Sequence, residues 1–455
     1  MSAQTELWQG QYDTLFIGGQ WVQPGSERTF EVISPATEQL VARVPEGVEA
    51  DIDAAVTAAR EAFDKGPWPR MSLEERITVL RKLSAELAAR ESEAAALVSA
   101  EMGCPITLST KMQSIGPRML LDAFLNIAPT YPWSDTRTSA SGSALVTREP
   151  VGVVAAVVPW NAPLLITMIK LAPALLAGCT MVVKPSPETP LDAYLLGDML
   201  DKIGLPEGVV NIVPAQREVS EYLVRHPGVD KVSFTGSTPA GRRIASLCGH
   251  DLRRVTLELG GKSAAVLLDD ADLDVAVAAI RAVSLRNSGQ VCSNKTRIVV
   301  ARSRRDELHD RLLDLIGSMP VGDPFDPATE IGPMVSDRHR SRVEGYIADA
   351  AVLETTDRGG EAHRAAVDFD CAGADVAGNR QCVLGIGGEH RAIEAVLRVV
   401  GDLDGLGLGV ERVHGENRTE DLLLRDLREG IDVGEDRGLD VPAAVQAFGA
   451  AAAHQ

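Results

Sequence analysis

The cysteine of "NSGQVCSN" (Asn287–Asn294) lies in a run of small and polar residues. Structural cysteines sit among apolar neighbours, where they act as small hydrophobes. Cys292 has instead the setting of a nucleophile, provided that something lowers its pKa or takes its proton. In "RVTLELGGKS", Glu258 stands between Leu257 and Leu259, ahead of Gly260 and Gly261. Flanking leucines at a strand end are expected to desolvate the carboxylate partly and raise its pKa towards that of a general base. Taken alone, the position fits a solvent-facing strand residue equally well.

Three further stretches carry binding chemistry. In "VVPWNAP", prolines at 159 and 163 hold Asn161 in a fixed backbone. A rigid carboxamide can donate to an oxyanion, although a turn-stabilising asparagine would look the same. "VVKPSPETP" ends a strand on Lys184, a place that suits a cation contacting ribose or phosphate and also a plain solvated cap. "KVSFTGSTPAGRRIASL" reads as strand, glycine turn and helix start, with Gly236 and Gly241 letting backbone amides approach a phosphate. It is not G-x-G-x-x-G, and an ordinary connection is as good a reading. The histidines lie outside all these stretches, so no Ser-His-Asp set is suggested, and no cysteine spacing fits a metal site. Cys104, Cys179 and Cys248 are expected to be structural.

The elements that must position these residues follow from periodicity. "FIGGQWV" predicts a strand pair bent at Gly18 and Gly19. From Asp51 to about Cys104, alanine-rich segments carry apolar residues at helical spacing, with Pro67 and Pro69 separating two helices. From Val151 short runs such as "VGVVAAVVP", "TMVVKPS" and "GVVNIVP" alternate with helical segments. Strands apolar on both faces, alternating with helices, predict a parallel α/β sheet, whose ligands gather at the carboxyl ends of its strands.

A chain of 455 residues suggests two or three domains. Its net charge of −19 argues against a nucleic-acid or anionic-membrane partner. No apolar run spans a membrane and the N-terminus lacks a signal-peptide pattern, so a reduced, cytoplasmic protein is expected. The composition changes near residue 351. The stretch 351–455 has no Lys, Ser, Met, Trp or Tyr, and sets 20 Asp and Glu against 10 Arg, over half the net charge.

In order, PWN, KPS-x-x-T, FTGS-x-x-x-G, LELGGK and GQ-x-C resemble the aldehyde dehydrogenase superfamily over about residues 15–350, and "GDPFDPATEIGPMVS" continues the likeness. The resemblance implies an α/β fold. A Rossmann-like parallel-sheet domain, from 1–132 and 151–258, would bind NAD(P). A β-hairpin at 133–150 would serve oligomerisation, and 259–350 would begin a second α/β catalytic domain, incomplete here. Cys292 then matches the nucleophile, forming a thiohemiacetal and then a thioester. Asn161 and the Cys292 amide match the oxyanion donors, and Glu258 the base that activates water. Trp160, Lys184, Gly236, Ser237 and Gly260 match cofactor positions. Ala162, Ile166 and Ile169 match the aldehyde entrance, and being apolar they predict uncharged aliphatic or aromatic aldehydes, terpenoid ones included.

Two departures stand out. Many members read K-P-S-E, with a glutamate on the ribose 2′-hydroxyl, where this chain has Pro187. NAD is the expected cofactor, and losing that carboxylate leaves NADP open. Beyond about residue 350 the family's E-E-x-F-G-P and P-F-G-G-x-K-x-S-G stretches are missing. That segment reads like a family C-terminus translated in a shifted frame, and an ordered fold is not expected of it. A homodimer or homotetramer is the family's habit, but the strand that supports it has no match here. Two rival functions follow: an inactive remnant that at most binds nucleotide, and a thiol esterase using Cys292 and Glu258 without cofactor.

Overall fold

Successive side chains of a strand point to opposite faces of its sheet, and the run from Val153 to Val158 buries both sets. Val153, Ala155 and Val157 pack with Ile52, Val56, Leu223 and Ile244. Val154, Ala156 and Val158 pack with Leu164, Met168 and Leu171. The computed structural model describes residues 12–356, and the atypical tail lies outside them from residue 357. The first strands are β1 (Leu15–Ile17), β2 (Gln20–Val22), β3 (Thr29–Ile33), β4 (Leu40–Pro45), β5 (Ser134–Ser139) and β6 (Gly142–Thr147). They are followed by β7 (Val153–Val157), β8 (Thr180–Lys184), β9 (Val210–Ile212), β10 (Lys231–Gly236) and β11 (Arg254–Leu259). Last among the described residues come β12 (Ala264–Leu267) and β13 (Arg297–Val300).

The main sheet has the order β11-β10-β7-β8-β9-β1-β2. Its five strands from β11 to β9 run parallel, and β1 and β2 close one edge antiparallel. Gly18 (φ 66°) and Gly19 (φ 77°) form the two-residue turn between them. Positive φ at both places matches the twist of a tight hairpin. The chain leaves β7 towards β8 and β9, then returns to place β10 and β11 on the other side. The topological switch therefore lies between β7 and β10, where a crevice opens outside the carboxyl ends.

Helices cover both faces. The helix Pro163–Leu176 follows β7 directly and buries Leu164, Met168, Leu171 and Leu175 completely. Each such side chain contributes roughly 1.5–3 kcal/mol relative to exposure. Pro163 sits in its opening turn, where no N–H is needed, whereas Pro173 lies inside the helix and removes one backbone donor. On the opposite face, helices Glu49–Asp64, Arg217–Arg225 and Thr238–His250 supply the second cluster. The β5–β6 hairpin stands away from this body, with Leu145 68% exposed.

Beyond β11 a smaller parallel pair, β12–β13, is bridged by the helix Leu273–Ser284. Asp272 caps that helix, accepting from the amides of Asp274 and Val275 at 2.8 and 3.3 Å. Leu273, Ile280, Val300, Leu308 and Leu312 form its own core. No helix among the described residues is long and apolar enough to cross a membrane.

Gly152 introduces β7 at φ 120°, and a Cβ there would fall 1.8 Å from Asp230 Oδ2. That oxygen accepts from the Val153 amide at 2.8 Å and from Arg60 at 2.6 Å, tying the strand's start to the helix Glu49–Asp64. Gly152→Ala strains the backbone and displaces the carboxylate together. It is expected to lower stability by more than about 1 kcal/mol, read from the urea midpoint; an unshifted midpoint would contradict this.

Candidate active site

Strand register sets the chemistry of the crevice. Val157 of β7 pairs with Lys184 on one side and Phe234 on the other. Thr235 and Gly236 then pair with Glu258 and Leu259. Lys184, Gly236 and Glu258 thus lie near the carboxyl ends of β8, β10 and β11 within two residues of one level. Asn161 follows β7, the strand between β8 and β10, on the same side.

Lys184 is 7% exposed. Burial pushes its pKa down to about 8, against the opposing pull of the Glu188 carboxylate. Its ammonium donates no hydrogen bond among the described residues. Glu188 itself is held by Ser186 and by Arg338, each at 2.5 Å. Ser237 caps the helix Thr238–His250, accepting from the Ala240 amide at 3.4 Å. Gly236 is required there, since a Cβ would lie 2.5 Å from the Phe234 ring. Gly260 follows β11 directly.

Asn161 reaches further than the crevice. Its Nδ2 donates to the Gln290 carbonyl at 2.7 Å, two residues before Cys292. This bond joins the end of β7 to the thiol loop across 129 residues of chain. The loop is built on a left-handed turn: Asn287 (φ 54°, ψ 40°), Ser288 (φ 53°, ψ 35°) and then Gly289 (φ 75°). For a residue with a Cβ this conformation costs about 1–2 kcal/mol, so surrounding bonds must hold it. Ser288 Oγ donates to the Gly332 carbonyl at 2.8 Å. Gln290 Oε1 accepts from the Val335 amide at 3.0 Å. Asn287, Ser288 and Gln290 are all buried, whereas Cys292 is exposed at the loop's end.

The thiol is exposed by surface area, yet neighbouring atoms crowd it enough to desolvate its charged form. That desolvation is the main cause pushing its pKa above the ordinary value. The amide of Cys292 itself opposes the rise, the Glu258 charge adds to it, and the Ser293 amide opposes it again. Glu258 is exposed among the described residues, so the desolvation expected from its leucine neighbours is not met. Among the described residues β11 is the last strand of its sheet, and none of their strands pairs along its outer side. The leucines flanking Glu258 project to the opposite face of the strand.

Ala162, Ile166 and Ile169 lie along one side of the opening turns of the helix Pro163–Leu176, Ala162 being its N-cap residue and buried. Trp160 packs against His339, with ring centroids 4.6 Å apart, and beside Val98, Met102 and Val335. Cys104, Cys179 and Cys248 are buried and free.

Several residues of the site escaped sequence reasoning. Lys170 is buried on the helix after Asn161, donates to Ser233 Oγ at 3.1 Å and feels the Glu258 charge. Burial lowers its pKa to about 8. His339 is driven down to about 4 by burial, and its Nε2 has no partner among the described residues. Gln113, on a π-helical turn at Thr110–Ile115, donates to the Asn161 carbonyl at 3.0 Å. None carries a local motif, and the signal in each case is a contact between distant segments.

Residues 21–365 match the aldehyde dehydrogenase family. The chain belongs to that family. It is 44% identical over 334 residues to the geranial dehydrogenase of Castellaniella defragrans, covering 73% of this chain and 70% of that one. It is 40% identical over 338 residues to a 3-succinoylsemialdehyde-pyridine dehydrogenase of Pseudomonas, with 74% and 70% covered. Among solved structures, a Mycobacterium tuberculosis aldehyde dehydrogenase complexed with NAD+ superposes with a TM-score of 0.73 at 45% identity. That match covers 75% of this chain and 70% of the other. A mutant aldehyde dehydrogenase C of Pseudomonas syringae, complexed with NAD+ and octanal, gives 0.71 at 36%, covering 75% and 69%. The α/β architecture with its parallel sheet is thus that of the family.

Because its surroundings raise the pKa of the Cys292 thiol, the thiolate fraction at neutral pH is small and grows as pH rises. Alkylation by iodoacetamide, followed by intact mass, should show an inflection at higher pH than that of a free cysteine. Glu258→Gln removes a charge that opposes ionisation, so its inflection should move down; one that stays put would contradict the coupling.

Proposed function

We propose that this family member oxidises an uncharged aldehyde to its carboxylic acid, using NAD and a covalent intermediate on Cys292. The observation that carries the proposal is the 2.7 Å bond from Asn161 Nδ2 to the Gln290 carbonyl, which brings a rigid amide to the thiol loop. A carboxamide nitrogen has two N–H groups. One holds the loop, and the other is left for an oxyanion.

The residues fit a dinucleotide on two counts. Lys184 presents a buried ammonium with no hydrogen bond among the described residues, suited to ribose hydroxyls. Gly236 keeps the backbone bare ahead of a helix N-terminus capped by Ser237, where a phosphate is favoured. Trp160 and Gly260 complete the proposed cofactor set. NAD, when bound, supplies the two-electron oxidant. The relatives complexed with NAD+ support that choice, while Pro187 keeps NADP as the alternative.

The chain's own residues do the rest. Cys292 gives up its thiol proton to solvent, its Sγ attacks the carbonyl carbon, and the oxygen takes up the electron pair between Asn161 Nδ2 and the Cys292 amide. Preorganised donors of this kind are the largest single contribution in many acyl-transfer sites. Oxidation leaves a thioester on Cys292. Glu258, solvated and close enough to affect the thiol, takes a proton from the water that releases the acid. Ala162, Ile166 and Ile169 offer apolar contact, which fits aliphatic, aromatic or terpenoid aldehydes; a geranial dehydrogenase relative agrees with that class. We assign 1–132 and 151–258 to cofactor binding, 259–350 to catalysis and the exposed hairpin within 133–150 to self-association as a dimer or tetramer.

One observation favours a second reading, a chain that binds nucleotide without turnover. The β12–β13 pair leaves Val266 and Leu268 each 66% exposed among the described residues, so the catalytic half has little packed around it. Absorbance of reduced cofactor with an aldehyde panel separates the two. Turnover abolished in Cys292→Ala and lowered about 10²–10³-fold in Asn161→Ala is the expected result; nucleotide binding by calorimetry with no turnover in the parent would establish the second. Lys184→Met should weaken nucleotide binding measured by the same calorimetry, and unchanged affinity would remove Lys184 from the cofactor set.

A further inference from the structure

The Asn161 carbonyl accepts two side-chain hydrogen bonds from opposite parts of the fold. Gln113 Nε2 donates at 3.0 Å and Asn287 Nδ2 at 3.2 Å. Both donors are completely buried. A carbonyl only accepts, so each amide must turn its NH2 towards it. That orientation leaves Gln113 Oε1 and Asn287 Oδ1 buried without a partner among the described residues. An orphaned buried acceptor destabilises a fold, and two of them among the described residues surround one carbonyl.

Each donor also stands on irregular backbone. Gln113 lies on the π-helical turn Thr110–Ile115, and Asn287 opens the left-handed turn that leads to Cys292. π-turns and strained backbone both gather at functional sites. The two irregularities converge on the residue whose side chain bonds the thiol loop. Asn161 is therefore gripped at both ends, its carbonyl by Gln113 and Asn287 and its carboxamide by the Gln290 carbonyl.

We propose that Gln113 and Asn287 are positioning residues that clamp the Asn161 carbonyl and so aim its carboxamide at the oxygen of a substrate bound to Cys292. The inference rests on the reading of Asn161 as an oxyanion donor. With the carbonyl fixed, the peptide plane between Asn161 and Ala162 cannot rotate, and the side chain keeps one direction. Loss of either amide lets that plane rock while Cys292 stays on its own loop bonds, from Ser288 to Gly332 and from Gln290 to Val335.

Two reactions of the same thiol test this on the full-length chain, neither needing cofactor. In acylation by p-nitrophenyl acetate, Sγ attacks the ester carbon and the carbonyl oxygen takes the electron pair. Collapse then expels p-nitrophenolate, and the thiol proton goes to solvent. Alkylation by iodoacetamide displaces iodide and develops no oxyanion. Gln113→Met and Asn287→Gly, the second free of any strain at positive φ, are expected to slow acylation about tenfold and leave alkylation at the parent rate. That loss is smaller than the ~10²–10³-fold expected for removing a donor outright. Acylation at the parent rate in both variants overturns the proposal, as does an equal fall in both reactions, which would mark a loop-stability role. Asn161→Ala run alongside tells the failures apart. If it acylates as fast as the parent, the donor reading of Asn161 itself fails and the clamp with it.

Discussion

A parallel strand buried on both faces can offer polar chemistry only at its ends. β7 and β8 are buried along their whole length, and the crevice at their carboxyl ends is the outlet. Lys184 and Gly236 end their strands, Glu258 is the last residue but one of β11, and Asn161 follows β7 by four residues, so all four gather at that outlet. The switch between β7 and β10 widens the outlet, because helices leave to opposite faces on either side of it. A hydrophobic sheet thus concentrates a carboxamide, a buried ammonium, a helix N-terminus and an exposed carboxylate at one edge.

The thiol obeys a different rule. Cys292 belongs to no strand of the main sheet, and its loop reaches the crevice by a backbone turn that side-chain-bearing residues avoid. Bonds from Ser288 and Gln290 to the segment Gly332–Val335, and from Asn161 to Gln290, offset the strain. The pKa of the thiol is pushed up rather than down by its surroundings. A thiolate is therefore not the standing state of this thiol, and the Glu258 carboxylate lies close enough to affect it.

Much of this could be read before any coordinates. Strands β7 to β10 are short apolar runs between helical segments, and a parallel sheet is the one arrangement that hides both faces. Polar neighbours made Cys292 a candidate, and the prolines around it made Asn161 one. Glu258 was placed correctly at a strand end, but its burial was not legible: leucines at i±1 point to the other face, and whether the carboxylate's own side is covered depends on residues distant in sequence. Gln113 and Asn287 were illegible for a similar reason. A buried glutamine in a helix and an asparagine in a polar loop carry no local mark of a shared carbonyl 48 and 126 residues away.

The π-turn has a bearing on how such a site changes over generations. An α-helix advances about 100° per residue, so one extra residue in a single turn rotates everything beyond it by that angle. Gln113 sits within this turn, so removing one residue just ahead of it would swing its amide by about that angle from Asn161 while leaving composition almost untouched. Relatives would then differ at this contact through chain length, by a one-residue gap, before they differed through residue identity.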